Sequence, residues 1–147
     1  MPKERPTITS AAGTPAGWSS ERSAELYGIN TWGAGYFDLS EQGEAQVNVD
    51  FGEHQVAVSI MDIVLGMRAR GLHMPAVLRI RNLLDHRIKL LNESFAQAIE
   101  QGGYQNTYRG VFPIKVNQQC HVIEEIADYG RRYHHGFEAG SKAELII

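Results

Sequence analysis

Hydrophobic and polar positions change their period twice along this chain of 147 residues. Between 45 and 51, Ala45, Val47, Val49 and Phe51 alternate with Gln46, Asn48 and Asp50. A period of two with one wet face is the signature of a β-strand. Upstream, Trp32-Gly33-Ala34-Gly35-Tyr36-Phe37 reads as an aromatic strand whose glycines permit close approach. Glu41-Gln42-Gly43-Glu44 carries a turn signal between the two. The spacing predicts an antiparallel hairpin over 32–51, part of a small β element, with a short helix over 20–27 before it. At Ser59 the period becomes helical. Ser59 and Asp62 have capping-box spacing, with Asp in place of the usual Glu or Gln, and Ile60, Val64 and Met67 then share one face. Gly71 stops this helix and Pro75 blocks its continuation.

From Ala76 the two periods alternate. Ala76-Val77-Leu78-Arg79-Ile80 reads as a strand, followed by a helix over 83–101 with Ile88, Leu91, Phe95 and Ile99 as its apolar stripe and Gly102-Gly103 as its end. The run Gly110-Val111-Phe112-Pro113-Ile114-Lys115-Val116-Asn117 is the next strand. A helix with Val122, Ile123, Ile126 and Tyr129 follows and ends at Gly130, and Gly136-Phe137-Glu138-Ala139 is a third strand. Ser141 and Glu144 form a capping box for a third helix. Strand and helix in turn at these spacings predict βαβ units on a parallel sheet, with right-handed crossovers placing the helices outside. Only residues 76–147 carry the alternation, whereas a complete eightfold barrel needs about 250 residues. The expectation is an N-terminal piece of a longer protein, with a flexible leader over 1–19, a β element with short helices over 20–75, and the opening of a larger α/β domain over 76–147.

Composition narrows the function classes. The chain is 43% hydrophobic and 21% charged, ordinary for a soluble globular protein. A net charge of -3 and the lack of a basic cluster argue against a nucleic-acid surface. No run of about 20 apolar residues exists to span a membrane, and no hydrophobic signal core follows the first residues. A single cysteine, Cys120, excludes an intrachain disulfide and fits a cytoplasmic home. The six histidines show no metal-ligand spacing, so no metal site is expected here.

Lys115, between Ile114 and Val116, is the chemical candidate. In a buried strand an amine is desolvated, which lowers its pKa, and a neutral amine can condense with an aldehyde. The run alone also fits a structural lysine whose stem packs while its head reaches water, and Pro113 weakens a central-strand reading because it removes a ladder donor.

Two stretches carry a resemblance. Gly110-Val111-Phe112-Pro113-Ile114-Lys115-Val116-Asn117-Gln118 resembles the lysine segment of biosynthetic arginine decarboxylases, and Phe137-Glu138-Ala139-Gly140-Ser141-Lys142-Ala143-Glu144-Leu145 resembles their next strand-turn-helix. Glu25-Leu26-Tyr27-Gly28-Ile29, the Trp32–Phe37 segment, Arg87-Ile88-Lys89-Leu90-Leu91-Asn92 and Phe95-Ala96 are similar to the same enzymes. The resemblance spans about residues 18–147. Phe112, where a tyrosine would be equally at home, departs from the pattern without altering its chemistry.

The resemblance implies a pyridoxal-phosphate enzyme of the alanine-racemase-like type, in which a TIM (β/α)8 barrel is paired with a β domain. It implies conversion of L-arginine to agmatine and CO2 at the entry to polyamine (putrescine and spermidine) synthesis. Lys115 would hold the cofactor as an internal aldimine, and Glu138 would lie beside the cofactor. Magnesium is implied by resemblance only. A small-molecule substrate and a homo-oligomer of the full-length protein belong to the same expectation, with no nucleic-acid or membrane partner. Ser141 reads as a cap, Lys142 as a solvated first-turn residue, and Asn117 and Gln118 as residues that touch substrate or only close the turn. A phosphate cradle, an acidic partner for the pyridine nitrogen and a carboxylate for the guanidinium are not found in the chain. Such a piece alone would be inactive and marginally stable, with an exposed edge strand and an unclosed barrel. The competing readings are an enzyme of the same fold acting on diaminopimelate or ornithine, a racemase, and a non-catalytic α/β binding module. No GxxxxGK[ST] or GxGxxG loop supports nucleotide binding.

Overall fold

The computed structural model describes residues 17–51 and 54–146. Most of the expected leader, residues 1–16, lies outside the described residues. The chain divides after His73 into two compact units, described separately below.

The first unit opens with α1 (Ser20–Leu26), capped by Ser19, whose Oγ accepts from the Arg22 N–H at 3.2 Å. A single helical turn follows, α2 (Ile29–Trp32). The aromatic segment 32–36 is therefore not the strand its sequence suggests. Ala34 and Gly35 have φ of 47° and 80°, a left-handed pair that reverses the chain. A Cβ on Gly33 would lie 2.5 Å from the Ile29 carbonyl, so the bend closes only around a glycine. The strand begins later, as β1 (Phe37–Leu39), and pairs antiparallel with β2 (Ala45–Phe51) in the register Phe37↔Val47. The turn expected at 41–44 joins them, with the Ser40 N–H donating to the Glu44 carbonyl at 2.8 Å. A third strand that the sequence reading did not assign, β3 (His54–Ser59), pairs along the other edge of β2 from Gln46↔Ser59 to Phe51↔His54. Its signal was present in the alternation of Gln55, Val56, Ala57 and Val58. Val47, 1% exposed, is the centre of this sheet.

Ser59 ends β3 and starts α3 (Ile60–Ala69), as the capping spacing predicts. Its Oγ accepts from the Asp62 N–H at 3.3 Å and donates to Glu44 Oε2 at 2.8 Å, tying the helix start to the hairpin. The helix closes with the paired Schellman bonds, Leu72 N–H to the Met67 carbonyl and Gly71 N–H to the Arg68 carbonyl, both 3.0 Å.

In the second unit, α4 (Arg81–Gly102) ends in the same motif, with Tyr104 and Gly103 donating to the Ile99 and Glu100 carbonyls. Its buried face is not the expected stripe. Ile88 and Asn92 are buried, while Leu91 and Phe95 are exposed. The two buried residues are four apart, so they share a face; Leu91 sits about 80° round from the middle of that face and Phe95 about 40°. Phe95 instead stacks on Tyr108, with centroids 4.0 Å apart and planes 6° apart.

The expected βαβ unit forms as β4 (Val111–Pro113), α5 (Cys120–Gly130) and β5 (Gly136–Glu138). The two strands are parallel, with Val111↔Gly136, Phe112↔Phe137 and Pro113↔Glu138 in register. Ile126, Ile88 and Ile114 make the core, and α4 packs on α5. Gly110 approaches the next strand's entry so closely that a Cβ there would lie 2.5 Å from the His135 ring.

Two expectations in this unit fail. Residues 76–80 alternate in burial, but they pair with no strand among the described residues. Leu78 and Ile80 line a cavity of about 400 Å³ together with Phe112 of β4 and Val116. Residues 141–146 form turns in place of the third helix. Half of the capping box is made: Ser141 Oγ accepts from the Glu144 N–H at 3.3 Å, whereas Glu144 Oε2 accepts at 2.8 Å from the N–H of Gly140, one residue before the cap. The structure is thus mixed α/β, with a three-stranded antiparallel sheet and a two-stranded parallel one.

Candidate active site at the strand ends

The C-terminal ends of parallel strands are where α/β proteins build their sites. Here that edge is formed by Pro113 and Glu138, which are register partners. Beyond Pro113 the chain cannot continue the ladder in the same way, and it curls into one turn of 3₁₀ helix, Ile114–Val116. Three residues per turn point in three directions about 120° apart, so one of the three can face the core. Ile114 does so, 7% exposed.

Lys115 is therefore placed in water. It lies in the turn after the strand, exposed, and among the described residues it has no hydrogen-bond or ion-pair partner. The expectation of a desolvated amine inside a strand is corrected by this turn: Ile114 takes the buried position, and the lysine follows it outward. What remains is an accessible primary amine two residues past the end of β4. Glu138, half-buried, ends β5, and its Oε1 lies 3.2 Å from the position of a Cβ on Gly140. The fold thus brings the two sequence-chosen residues to one edge of one sheet. Asn117 closes the turn, its Oδ1 accepting from the Gln119 N–H at 3.1 Å. The cavity of about 400 Å³ is lined by Val116 and Asn117 but not by Lys115 or Glu138.

The same cavity is walled by a polar cluster that the sequence reading missed. Glu125, 7% exposed on the inner face of α5, accepts a hydrogen bond from Arg81 Nε at the start of α4. Asp85, one turn after Arg81, has a buried Oδ1 without a protein partner. Its carboxyl is pushed up to about 6, first by desolvation and then by hydrogen bonding and repulsion from Glu125, while Arg81 and Arg132 pull it down. The signal was the i,i+4 pair Arg81–Asp85 and an acidic residue among Val122, Ile126 and Tyr129 on one helical face. Cys120 is exposed, and the neighbouring Glu124 carboxylate pushes its thiol above the ordinary range. That makes it a poor nucleophile near neutral pH.

A parallel βαβ unit with an exposed lysine two residues past its first strand defines a class, the mixed α/β proteins. Comparison with known proteins is more specific. No family model matches the chain. It is 43% identical over 130 residues to the biosynthetic arginine decarboxylase of Prochlorococcus marinus, 42% to that of a Synechococcus species and 43% to that of Gloeobacter violaceus. Each match covers 88% of this chain and 20% of the relative, so the chain spans about a fifth of the length of these curated relatives. The relatives bear out the resemblance read from the motifs and do not favour the alternative substrates or the binding module.

Proposed function

We propose that this chain is the N-terminal part of a pyridoxal-phosphate-dependent arginine decarboxylase, which converts L-arginine to agmatine and CO2 in the cytoplasm for polyamine synthesis. In this reading residues 76–147 open a (β/α)8 barrel and residues 20–75 contribute to its β domain, while the complete protein is a homo-oligomer and the isolated chain is inactive. The observation that supports it is the parallel register Pro113↔Glu138, which sets the lysine turn and the acidic residue at neighbouring strand ends, in a chain 43% identical to a named arginine decarboxylase.

The residues present fit the cofactor in one respect. An exposed, unpartnered amine can be reached by an aldehyde, and Lys115 is the residue that would hold the group covalently. Its exposure means that these residues do not desolvate it; that task falls to the remaining four-fifths of the protein. When bound, pyridoxal phosphate supplies an electron-withdrawing ring that stabilises the charge left when CO2 departs. Lys115 then serves as attachment point and as a proton carrier at its Nζ, and Glu138 as a carboxylate beside the ring.

The test is borohydride reduction of the full-length protein with pyridoxal phosphate, followed by peptide mapping. The label is expected on Lys115, and a label on another lysine sinks the assignment. Lys115→Ala in the full-length enzyme is expected to lower turnover on arginine by at least a thousandfold, in line with loss of a covalent catalyst. Parallel assays on arginine, lysine and ornithine read the substrate.

A further inference from the structure

Glu138 ends β5 with a carboxylate that has no hydrogen-bond or ion-pair partner among the described residues. Its direction is therefore set by the surface it rests on. That surface is the turn just past the strand: Glu138 Oε1 lies 3.2 Å from the point where a Cβ on Gly140 would stand. A functional carboxylate is only as well placed as the residues that support it.

The turn has little else to hold it. Gly140 and Ser141 are exposed and lie beyond the β4–β5 ladder, which ends at Glu138, and glycine has more backbone freedom to lose than any other residue. Glu144 supplies the restraint. Its Oε2 accepts from the Gly140 N–H at 2.8 Å, and its Oε1 accepts from the Ser141 hydroxyl at 3.0 Å. Ser141 Oγ in turn accepts from the Glu144 N–H at 3.3 Å. One half-buried side chain thus ties down both residues of the turn, through bonds to a charged acceptor, which are the stronger kind. Glu144 Oε2 stands 3.8 Å from the same point over Gly140, so both carboxylates pack on one glycine. The two differ in what they have left to offer. Both oxygens of Glu144 are taken by donors of the turn, whereas those of Glu138 meet none among the described residues.

We propose that Glu144 is a positioning residue for Glu138: it locks the Gly140–Ser141 turn and so fixes the direction in which the Glu138 carboxylate is presented. This rests on the reading of Glu138 as the carboxylate beside the cofactor ring. Glu144 acts through the turn and not on the substrate.

The test is kcat on arginine, at saturating substrate and cofactor, in variants of the full-length protein. Glu138→Ala alone is expected to lower kcat at least about tenfold; no loss would sink the reading of Glu138 and the positioning role with it. Glu144→Ala is expected to lower kcat at least about fivefold where Glu138 is present and by less than about twofold in the Glu138→Ala background, because residues that act as one unit are not additive. Glu144→Gln keeps an oxygen for the Gly140 N–H and should stay within about twofold of the unsubstituted protein. Ser141→Ala, at an exposed position, should lower kcat about two- to threefold, again only where Glu138 is present, and decides the matter if Glu144→Ala fails to fold. Equal losses with and without Glu138, or a Glu144→Gln variant as impaired as Glu144→Ala, would overturn the positioning role while leaving Glu138 its place beside the ring.

Discussion

In the first unit β2 is hydrogen-bonded along both edges, to β1 and to β3, through connections of a few residues. In the second, among the described residues, β4 is bonded along one edge only, to β5, and the chain must run through α5 to get there. The antiparallel sheet is made of neighbours in sequence and needs only local turns. The parallel sheet gathers strands one crossover at a time, and each strand remains an edge until the next arrives. Hence the antiparallel unit has a sheet centre in Val47, whereas the parallel unit takes its core from helix contacts and leaves a cavity beside β4.

The comparison can be broken by removing each centre in turn. Ile126→Ala takes a large side chain from a site that is 1% exposed, and the expected loss is about 3–4 kcal/mol, read as lost amide-exchange protection in α4 and α5. If that protection persists, the parallel unit does not rest on its helix contacts. Val47→Ala removes less volume from the other centre, and about 2 kcal/mol is expected. Both tryptophans, Trp18 and Trp32, lie in the first unit, so their fluorescence in a urea titration reports it directly.

A pH titration sharpens the difference further, because the second unit carries a carboxyl with a raised pKa. Asp85 has its pKa raised to about 6 from 3.8, so the folded state holds a proton that the unfolded chain releases earlier. Its contribution to stability is full below about pH 4 and is lost as pH rises through about 6. Asp85→Asn should remove that slope between pH 4 and 6 in denaturation midpoints; an unchanged slope would mean that the Asp85–Glu125 contact is not protonated in solution. The smallest effect is expected at Lys115. Lys115→Ala removes an exposed side chain without partners, so the thermal midpoint should not move even where activity disappears. A clear fall in the midpoint would return Lys115 to the structural reading.

Much of the chain was legible beforehand because some features satisfy themselves locally. The Ser59 cap, the stops at Gly71 and Gly103, and the bond from the Glu144 N–H to Ser141 Oγ join groups no more than five residues apart, and all form as read. The parallel βαβ unit was also legible, from its alternating periods, and Glu138 is the register partner of Pro113, two residues before Lys115. The strand read over 32–36 failed for a local reason, the bend at Ala34 and Gly35, whereas the reading of 76–80 depended on something distant. Residues 76–80 have a strand's alternation but no ladder, because a strand's hydrogen bonds belong to its neighbour.

Sequence by itself therefore determined α1, α3, α4 and α5, the stops of the last three, the hairpin's second strand, the parallel crossover, and the likeness to arginine decarboxylases. Tertiary structure alone decided which side chains lie inside. It turned Ile114 inward and Lys115 outward, put Asn92 where Leu91 was expected, and buried Glu125 against Arg81. The reason is one of range: backbone caps close within a turn, whereas burial is fixed only when another element arrives to cover a given face.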